Sequence, residues 1–204
     1  MSIMTKEEAY AALSPYFPLF TKAVGSAWDM WINGDVASRM QHKRVRANVI
    51  WNDYFYSMHR AIEDGDFGDV RFAKIPYNQG FAIDGRFFIK FKKGDSNLLS
   101  SNLPTQNALN FHDPEIDMFG AEVRLELLYV LDKSDIFIEK IVLVQRKEKF
   151  IAWAIDLTEH NVVDLPEAVE LPMPQESKRS TAKKVIQSKK ANQKKLKAQN
   201  DQHD

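Results

Sequence analysis

A short basic and aromatic segment, Arg86 to Lys93, carries side chains that are suited to binding an anion. If this segment is a strand, its side chains alternate between two faces, so Arg86, Phe88, Lys90 and Lys92 share one of them. A face with one aromatic ring and three cations could stack a nucleic-acid base and hold phosphates. The alternative is an ordinary sheet strand with one buried face and one face in water.

A second group of cations stands where a long helix is expected to begin, and it comprises Arg39, His42, Lys43, Arg44 and Arg46. Positive charge is mildly unfavourable at the N-terminus of a helix because the helix dipole is positive there. This placement favours contact with an anion or with nucleic acid. A solvated helix face is the alternative, as it is for most charge runs.

The segment from Gly94 to Gln106 is rich in small polar side chains that could contact a ligand. Loops of this length often carry function. The alternative is a plain surface connection, in which Pro104 and Thr105 start a short helix that runs to Phe111. Taken together, the three segments predict a nucleic-acid or anion site formed by Arg44, Arg46, Arg86, Lys90, Lys92, Asn102, Thr105 and Gln106.

Catalytic and metal-binding spacings give no comparable signal. The five histidines show no HExxH-like ligand spacing. A cluster at His112, Asp113, Glu115 and Asp117 is interrupted by Pro114, which favours an acidic loop over a metal site. A metal-dependent nuclease would need folding alone to bring its carboxylates together, and the candidates are Asp117, Glu122, Glu126 and Glu139, with Lys140. We therefore predict no metal and no cofactor and favour a non-enzyme, while the enzyme hypothesis stays open.

Two long helices are expected, and the second of them positions the cations from Arg39 to Arg46. Thr5 and Glu8 have the spacing of a capping box. Apolar residues then recur with a period near 3.6 from Leu19 to Trp31 and again from Ala47 to Ile62. This pattern predicts a helical region over residues 5–64 that forms an antiparallel hairpin.

Strand-like alternation replaces the helical pattern over residues 70–158. The expected strands are 70–75, 80–83, 86–93, 122–131, 136–144 and 150–157, with connections at 132–135 and 146–149. Asp84 and Gly85 fit a type I′ hairpin turn. A run of helices followed by a run of strands predicts an α+β fold, in which the N-terminal helical hairpin packs on an antiparallel sheet of about five to six strands.

The C-terminal segment carries a charge opposite to that of the rest of the chain. Residues 177–200 contain nine Lys/Arg residues and no acid, which leaves 19 basic against 26 acidic residues in 1–176, a net charge of −7. We predict one domain over 1–165 and a Pro-containing linker with a disordered or partly helical basic tail over 166–204. The tail either contacts nucleic acid or serves as a solubilising arm, and the candidate contacts are Lys183, Lys184, Lys189, Lys190, Lys194 and Lys195.

The composition also bears on where the chain works. It has no cysteine, which excludes disulfides and thiolate metal sites. The first residues lack the pattern of a secretory signal, and no apolar run approaches the roughly 20 residues of a membrane-spanning helix. We expect a cytoplasmic protein that does not bind membranes.

Four strings of residues and one tryptophan resemble an uncharacterised family of bacterial proteins of about this size. They are residues 46–51, 86–93, 101–106 and 129–133, together with Trp153, and the resemblance covers roughly residues 15–160. The family's genes lie beside genes for helix-turn-helix regulators fused to an ImmA/IrrE-type metallopeptidase domain. The resemblance implies a toxin–antitoxin or phage-related context, in which the chain works through a protein partner such as that regulator.

Three functional hypotheses follow. The first is a non-enzymatic binding or regulatory protein of a toxin–antitoxin or phage-related system, acting through a protein partner and in part through nucleic acid. The second is a sequence-independent nucleic-acid-binding protein that uses the basic tail. The third is a metal-dependent nuclease, which no residue spacing supports.

Overall fold

The structure is a computed structural model that describes residues 3–65, 67–75, 78–100, 105–113, 115–116 and 123–158. All of these residues belong to one unit of the chain, Met1–Val169. The predicted domain boundary at residue 165, the linker and the basic tail lie outside the described residues.

The N-terminal third is helical, as predicted. Its helices are α1 (Lys6–Leu13), α2 (Phe17–Asn33), the single-turn α3 (Asp35–Ser38) and α4 (Lys43–Glu63). The capping box is confirmed, because Thr5 accepts from the Glu8 backbone N–H at 3.2 Å and the Glu8 carboxylate accepts from the Thr5 N–H at 3.1 Å. At α4 the ring Nδ1 of His42 caps the helix by accepting from the Arg44 N–H. Helices α2 and α4 pack against each other.

Six strands form one sheet whose spatial order is the order of the chain. They are β1 (Val70–Ile75), β2 (Asn78–Ile83), β3 (Phe87–Gly94), β4 (Val123–Leu131), β5 (Ile138–Lys147) and β6 (Phe150–Asp156), and α5 (Gln106–His112) lies between β3 and β4. All neighbouring strands are antiparallel except β3 and β4, which are parallel. A parallel pair requires a crossover connection, and the segment that contains α5 provides it. The predicted α+β fold is confirmed.

Backbone geometry explains where β2 and β3 meet. Asp84 and Gly85 both have positive φ angles, of 52° and 60°, as the predicted type I′ turn requires. Behind this turn, Gly80 lies so close to β3 that a Cβ atom at this position would overlap the carbonyl oxygen of Ile89. Glycine therefore permits the close approach of the two strands at this point.

The predicted bounds of β5 were wrong at both ends. Its N-terminal end lies at Ile138, because the Asp132 carboxylate accepts from the backbone N–H groups of Ser134, Ile136 and Phe137 and so holds these residues in the turn. At its other end β5 continues to Lys147, and the connection to β6 is the two-residue turn at 148–149. Arg146, predicted to lie in the connection, is therefore a strand residue.

One face of the sheet packs against the helices and forms the main hydrophobic core. Phe91 of β3 stacks on Tyr54 of α4 with ring centroids 3.9 Å apart and on Tyr129 of β4 at 5.3 Å. This aromatic stack joins α4 to two central strands, so it fixes the position of the helix over the sheet.

The opposite face is also buried, which contradicts the expectation that one face of β3 is in water. Leu98, from the segment after β3, packs there with Leu128, Val130, Val142, Val144 and Ala154. Phe88 of β3 is fully buried and contacts Phe111 of α5 edge-on at 6.1 Å. The sheet is covered on this side because the crossover segment with α5 folds back over it.

Candidate functional site

A cleft of about 880 Å³ lies at β3, between α4 and α5. Its α4 flank is formed by Arg44, Ala47, Asn48 and Trp51, its α5 flank by Thr105, Gln106, Asn107 and Ala108, and its strand residues are Lys90, Phe91, Lys92, Lys93 and Tyr129. Side chains alternate along β3, so Lys90 and Lys92 point to the α5 side of the sheet and Lys93 points to the α4 side. The cleft reaches both sides of the strand.

Within the described residues, the charged side chains that line this cleft all have one sign. Four of these residues are cations, Arg44, Lys90, Lys92 and Lys93, and none of the described lining residues is an aspartate or glutamate. Lys93 donates to the Asp135 carboxylate at 3.2 Å and Lys90 donates to the Asn78 side chain at 2.6 Å. Within the described residues, the side chains of Arg44 and Lys92 make no hydrogen bond or ion pair. These two cations are available to an anion.

The structure brings together five of the eight residues predicted for the anion site: Arg44, Lys90, Lys92, Thr105 and Gln106. Arg86 is not with them, because it lies in the β2–β3 turn, six residues and about 20 Å along the strand from Lys92. Its guanidinium contacts the Phe87 ring instead. Asn102 and the six tail lysines lie outside the described residues.

Arg46 does not line the cleft although it belongs to the first turn of α4. It is 6% exposed, its Nη1 donates to the Asp135 carbonyl at 2.9 Å, and its Nη2 lies 3.2 Å from the Asp135 carboxylate. Lys43 contacts the same carboxylate. Three cations around Asp135 hold the pKa of that carboxyl well below its usual range. Lys43 and Arg46, at the start of α4, therefore pair with Asp135, whereas Arg44 does not.

Phe88, the aromatic ring expected to stack a base, cannot do so because it is fully buried under α5. The aromatic residues that do line the cleft are Trp51, Phe91 and Tyr129. In the sequence, Trp51 falls within the apolar stripe from Ala47 to Ile62. Its spacing of seven residues from Arg44 was the available signal, because positions i and i+7 lie on nearly the same helix face.

Several polar residues are buried between α5 and the sheet. The Ser100 hydroxyl donates to both oxygens of Glu126, at 2.9 and 3.0 Å, and Arg146 Nη1 lies 3.7 Å from the same carboxylate. Arg124 donates to the carbonyl oxygens of Asn110 and Asp113 at the C-terminal end of α5. These contacts hold α5 in place, and α5 in turn forms one flank of the cleft.

His112 belongs to this buried cluster and is neutral there. Burial, followed by the positive charges of Arg146, Lys90 and Arg124, lowers its pKa to about 3. Arg146 Nη1 lies 3.3 Å from its Nε2, and since a guanidinium only donates, Nε2 is the acceptor and Nδ1 carries the proton. The approach of His112 to Glu126 at 3.6 Å is therefore not an ion pair.

Ser100, His112 and Glu126 lie together without the arrangement of a catalytic triad. In a triad the hydroxyl donates to the imidazole, which acts as the general base. Here the hydroxyl donates to the carboxylate, and the imidazole accepts from Arg146. Ser100 is not activated as a nucleophile in this geometry.

The described residues contain no group of three or more His, Asp or Glu side chains placed to hold a metal ion. Glu126 is buried in the cluster under α5 and Glu139 is exposed on β5. Asp117 and Glu122, the other carboxylates of the nuclease hypothesis, lie outside the described residues. The carboxylates that the structure describes do not converge.

Burial and charge also affect Lys90, the deepest cation of the cleft. It is 7% exposed, and its ammonium lies 3.8 Å from the centroid of the Phe111 ring. Burial, and then the neighbouring charge of Lys92, lowers its pKa to about 8, against the opposing effect of Glu126. The positive charge of the cleft therefore decreases as the pH rises through about 8.

No protein-family model, curated protein or solved structure matches this chain. Among the described residues, no helix is long and apolar enough to cross a membrane.

Proposed function

We propose that this protein is a non-enzymatic binding protein whose cleft at β3 holds a phosphate-bearing ligand. The observation that carries the proposal is that the described residues lining the cleft include four cations and no carboxylate. Its volume of about 880 Å³ is in the range of small-molecule sites, about 300–1,000 Å³. An anion that enters it meets two cations, Arg44 and Lys92, that have no other partner within the described residues.

Removing these two charges tests the proposal. The probe is a fluorescently labelled 12-nucleotide single strand of thymidines, titrated with the full chain at two salt concentrations. Replacing both Arg44 and Lys92 by Gln should weaken binding at least tenfold. The dependence of log affinity on log salt should also become shallower by about 1.4, because two phosphate contacts are lost.

The matched control is the double variant Lys133→Gln and Lys140→Gln, which removes two exposed charges outside the cleft. We expect its affinity to remain within twofold of wild type. An equal loss in both double variants would mean that net charge alone drives binding, and the cleft would not be the site.

The basic tail supports a second candidate function, sequence-independent binding of nucleic acid. Nine basic residues without an acid over 177–200 would add affinity through phosphate contacts. Replacing Lys183, Lys184, Lys189, Lys190, Lys194 and Lys195 by Gln in the full chain separates this contribution from that of the cleft. If the cleft is the site, this variant keeps its sensitivity to Arg44 and Lys92.

We further propose that the protein acts in the cytoplasm as part of a toxin–antitoxin or phage-related regulatory pair. The resemblance of its sequence strings to the bacterial family is the support for this context. The partner would be the helix-turn-helix regulator encoded beside it. Co-expression followed by size-exclusion chromatography at micromolar concentration tests the pairing, and separate elution of the two chains would overturn it.

A further inference from the structure

The N-terminal half of α4 presents three different chemical groups to the cleft in one row. Arg44, Asn48 and Trp51 stand at positions i, i+4 and i+7, so they lie along one face of the helix, and all three line the cleft. Seven residues of helix span about 10 Å. A cation, an amide and an aromatic ring are therefore close enough together for one ligand to contact all three.

Trp51 is suited to be the stacking surface of the row. Phe91 and Tyr129, the other aromatic residues of the cleft, are each 1% exposed and stacked on one another. Trp51 is half-buried, and its ring contacts the Phe55 ring with centroids 4.3 Å apart. Its ring is supported from one side by the core and keeps surface that a planar ligand can cover.

Tyr129 adds a hydrogen-bonding group that lacks a partner among the described residues. Its hydroxyl is buried and makes no hydrogen bond within the part of the chain that the structure describes. Burial raises the pKa of this hydroxyl, so it remains protonated and can donate. A buried polar group without a partner is unfavourable by about 1–3 kcal/mol, and a ligand atom that accepts from it would remove that cost.

The amide of Asn48 is exposed and, within the described residues, makes no side-chain hydrogen bond. An amide offers a donor and an acceptor side by side, which matches the polar edge of a nucleic-acid base. The Watson–Crick edge of a base is free to contact such an amide only when the base is unpaired. The ring of Trp51 likewise requires an unpaired base, because the faces of paired bases are covered by their neighbours in a duplex.

We propose that the ligand of the cleft is an unpaired nucleotide, either free or within a single strand. Its base packs on Trp51 with an edge at Asn48, and its phosphates contact Arg44 and Lys92. This assignment rests on the proposed function, since it names the phosphate-bearing ligand of the same cleft. The assignment requires the ligand to carry a ring as well as charge, because a ligand without a ring could not stack on Trp51.

Tryptophan fluorescence reports on the ring contact directly. The three other tryptophans, Trp28, Trp31 and Trp153, are buried at 8%, 6% and 6% exposure, so quenching by a ligand in the cleft would come from Trp51. The full chain is titrated with the 12-nucleotide strand, with adenosine triphosphate in the absence of divalent ions, and with inorganic triphosphate. We expect quenching by a ligand that carries a base and none by inorganic triphosphate. Quenching by the strand alone identifies a polymer as the ligand, and quenching by both identifies the nucleotide unit.

Substitution of the ring completes the test, with binding of the labelled strand and competition by inorganic triphosphate as readouts. Trp51→Leu should weaken strand binding at least tenfold, as expected when one stacked base loses its partner. Trp51→Phe keeps a ring and should stay within about threefold of wild type. Competition by inorganic triphosphate should be unchanged in both variants, which also shows that they are folded.

The control is Tyr56→Leu, which removes an aromatic residue of α4 that is 55% exposed and does not line the cleft. It should leave strand binding unchanged. If Trp51→Leu binds the strand within twofold of wild type while the Arg44 and Lys92 double variant does not, the nucleotide assignment is wrong and the anion site stands. If neither change affects binding, the proposed function itself is wrong.

Discussion

Arg46 of α4 and Asp135 of the β4–β5 turn hold each other by two contacts, one to the carbonyl at 2.9 Å and one to the carboxylate at 3.2 Å. They are 89 residues apart in the chain. Because Lys93 of β3 donates to the same carboxylate, Asp135 connects the start of α4, the turn and a strand that lines the cleft. The α4 flank of the cleft is therefore fixed by an ion cluster at one end and by the aromatic stack further along.

Removal of the Asp135 charge should destabilise the fold by about 2 kcal/mol, since Arg46 would remain buried without its charge partner. Asp135→Asn is the suitable change, because asparagine tolerates the left-handed backbone found here, with a φ of 58°. Urea unfolding at pH 7 measures the effect. The pKa of Asp135 is lowered in the fold, so its stabilisation is present above the ordinary pKa of about 3.8 and is lost as the pH falls below it.

Lys43 provides the control for this prediction. It contacts the same carboxylate, but its side chain is 75% exposed. Exposed ion pairs contribute about 0–1 kcal/mol, so Lys43→Gln should have a small effect. Equal losses in the two variants would show that the cluster does not depend on the buried arginine.

Two glycines should respond to alanine in opposite directions. At Gly80 a Cβ atom would overlap the Ile89 carbonyl oxygen, so Gly80→Ala should destabilise the β2–β3 pair by about 1–3 kcal/mol. At Gly25, inside α2, a Cβ atom would meet nothing within 4 Å. Gly25→Ala should stabilise the helix by about 0.5–1 kcal/mol. Thermal unfolding of both variants measures the difference, and a stabilising Gly80→Ala would contradict the close approach of the strands.

His112 should make the fold sensitive to mild acid. Its pKa is about 3 in the fold and 6.5 ordinarily, so the unfolded chain binds more protons between these values. The free energy of unfolding should therefore fall as the pH decreases from 6.5, by about 2 kcal/mol at pH 5. His112→Gln keeps an acceptor for Arg146 without titrating. Urea unfolding between pH 7 and 5 should show a smaller decrease in this variant, and an identical decrease would exclude His112 as the cause.

The helices and most strands could be predicted from local patterns, because one face of each is apolar and caps or turns mark its ends. The burial of both faces of β3 could not be predicted in this way. Alternation of Phe88, Lys90 and Lys92 with apolar residues is typical of a strand with one face in water. Here Lys90 is buried because α5 returns over the sheet, and partners distant in sequence, such as Asn78 and Phe111, surround it.

The cations of the candidate site could be predicted from the sequence, but its aromatic residues could not. Arg44, Lys90 and Lys92 are basic residues in elements that the sequence already indicated, and folding brings them to one cleft. Arg46 looks identical to Arg44 in the sequence, and what distinguishes them is Asp135, 89 residues further along the chain. Trp51 belongs to an apolar stripe, and such a stripe does not show which of its members borders a cleft.

The Lys90 charge should make ligand binding decrease as the pH rises. Its pKa of about 8 is below the ordinary 10.5, because the ammonium is buried and faces Lys92, with the opposing charge of Glu126 nearby. Binding of the labelled strand should weaken by up to about tenfold between pH 7 and 9, because the charge of Lys90 adds to the positive potential that attracts the phosphates. Phosphate groups near the ammonium favour its charged form, so the pKa of Lys90 is higher in the complex, and the affinity falls between the two pKa values.

Lys90→Met separates this effect from other titrations, because it has no charge at any pH. Its affinity should be lower than that of wild type at pH 7 and nearly constant up to pH 9, while wild type converges on it. The same substitution tests stability without ligand. The charged Lys90 is disfavoured in the fold, so the free energy of unfolding of wild type should rise from pH 8 to 10.5, and that of the methionine variant should not. A parallel decrease of affinity in both proteins would show that the charge of Lys90 is not its cause.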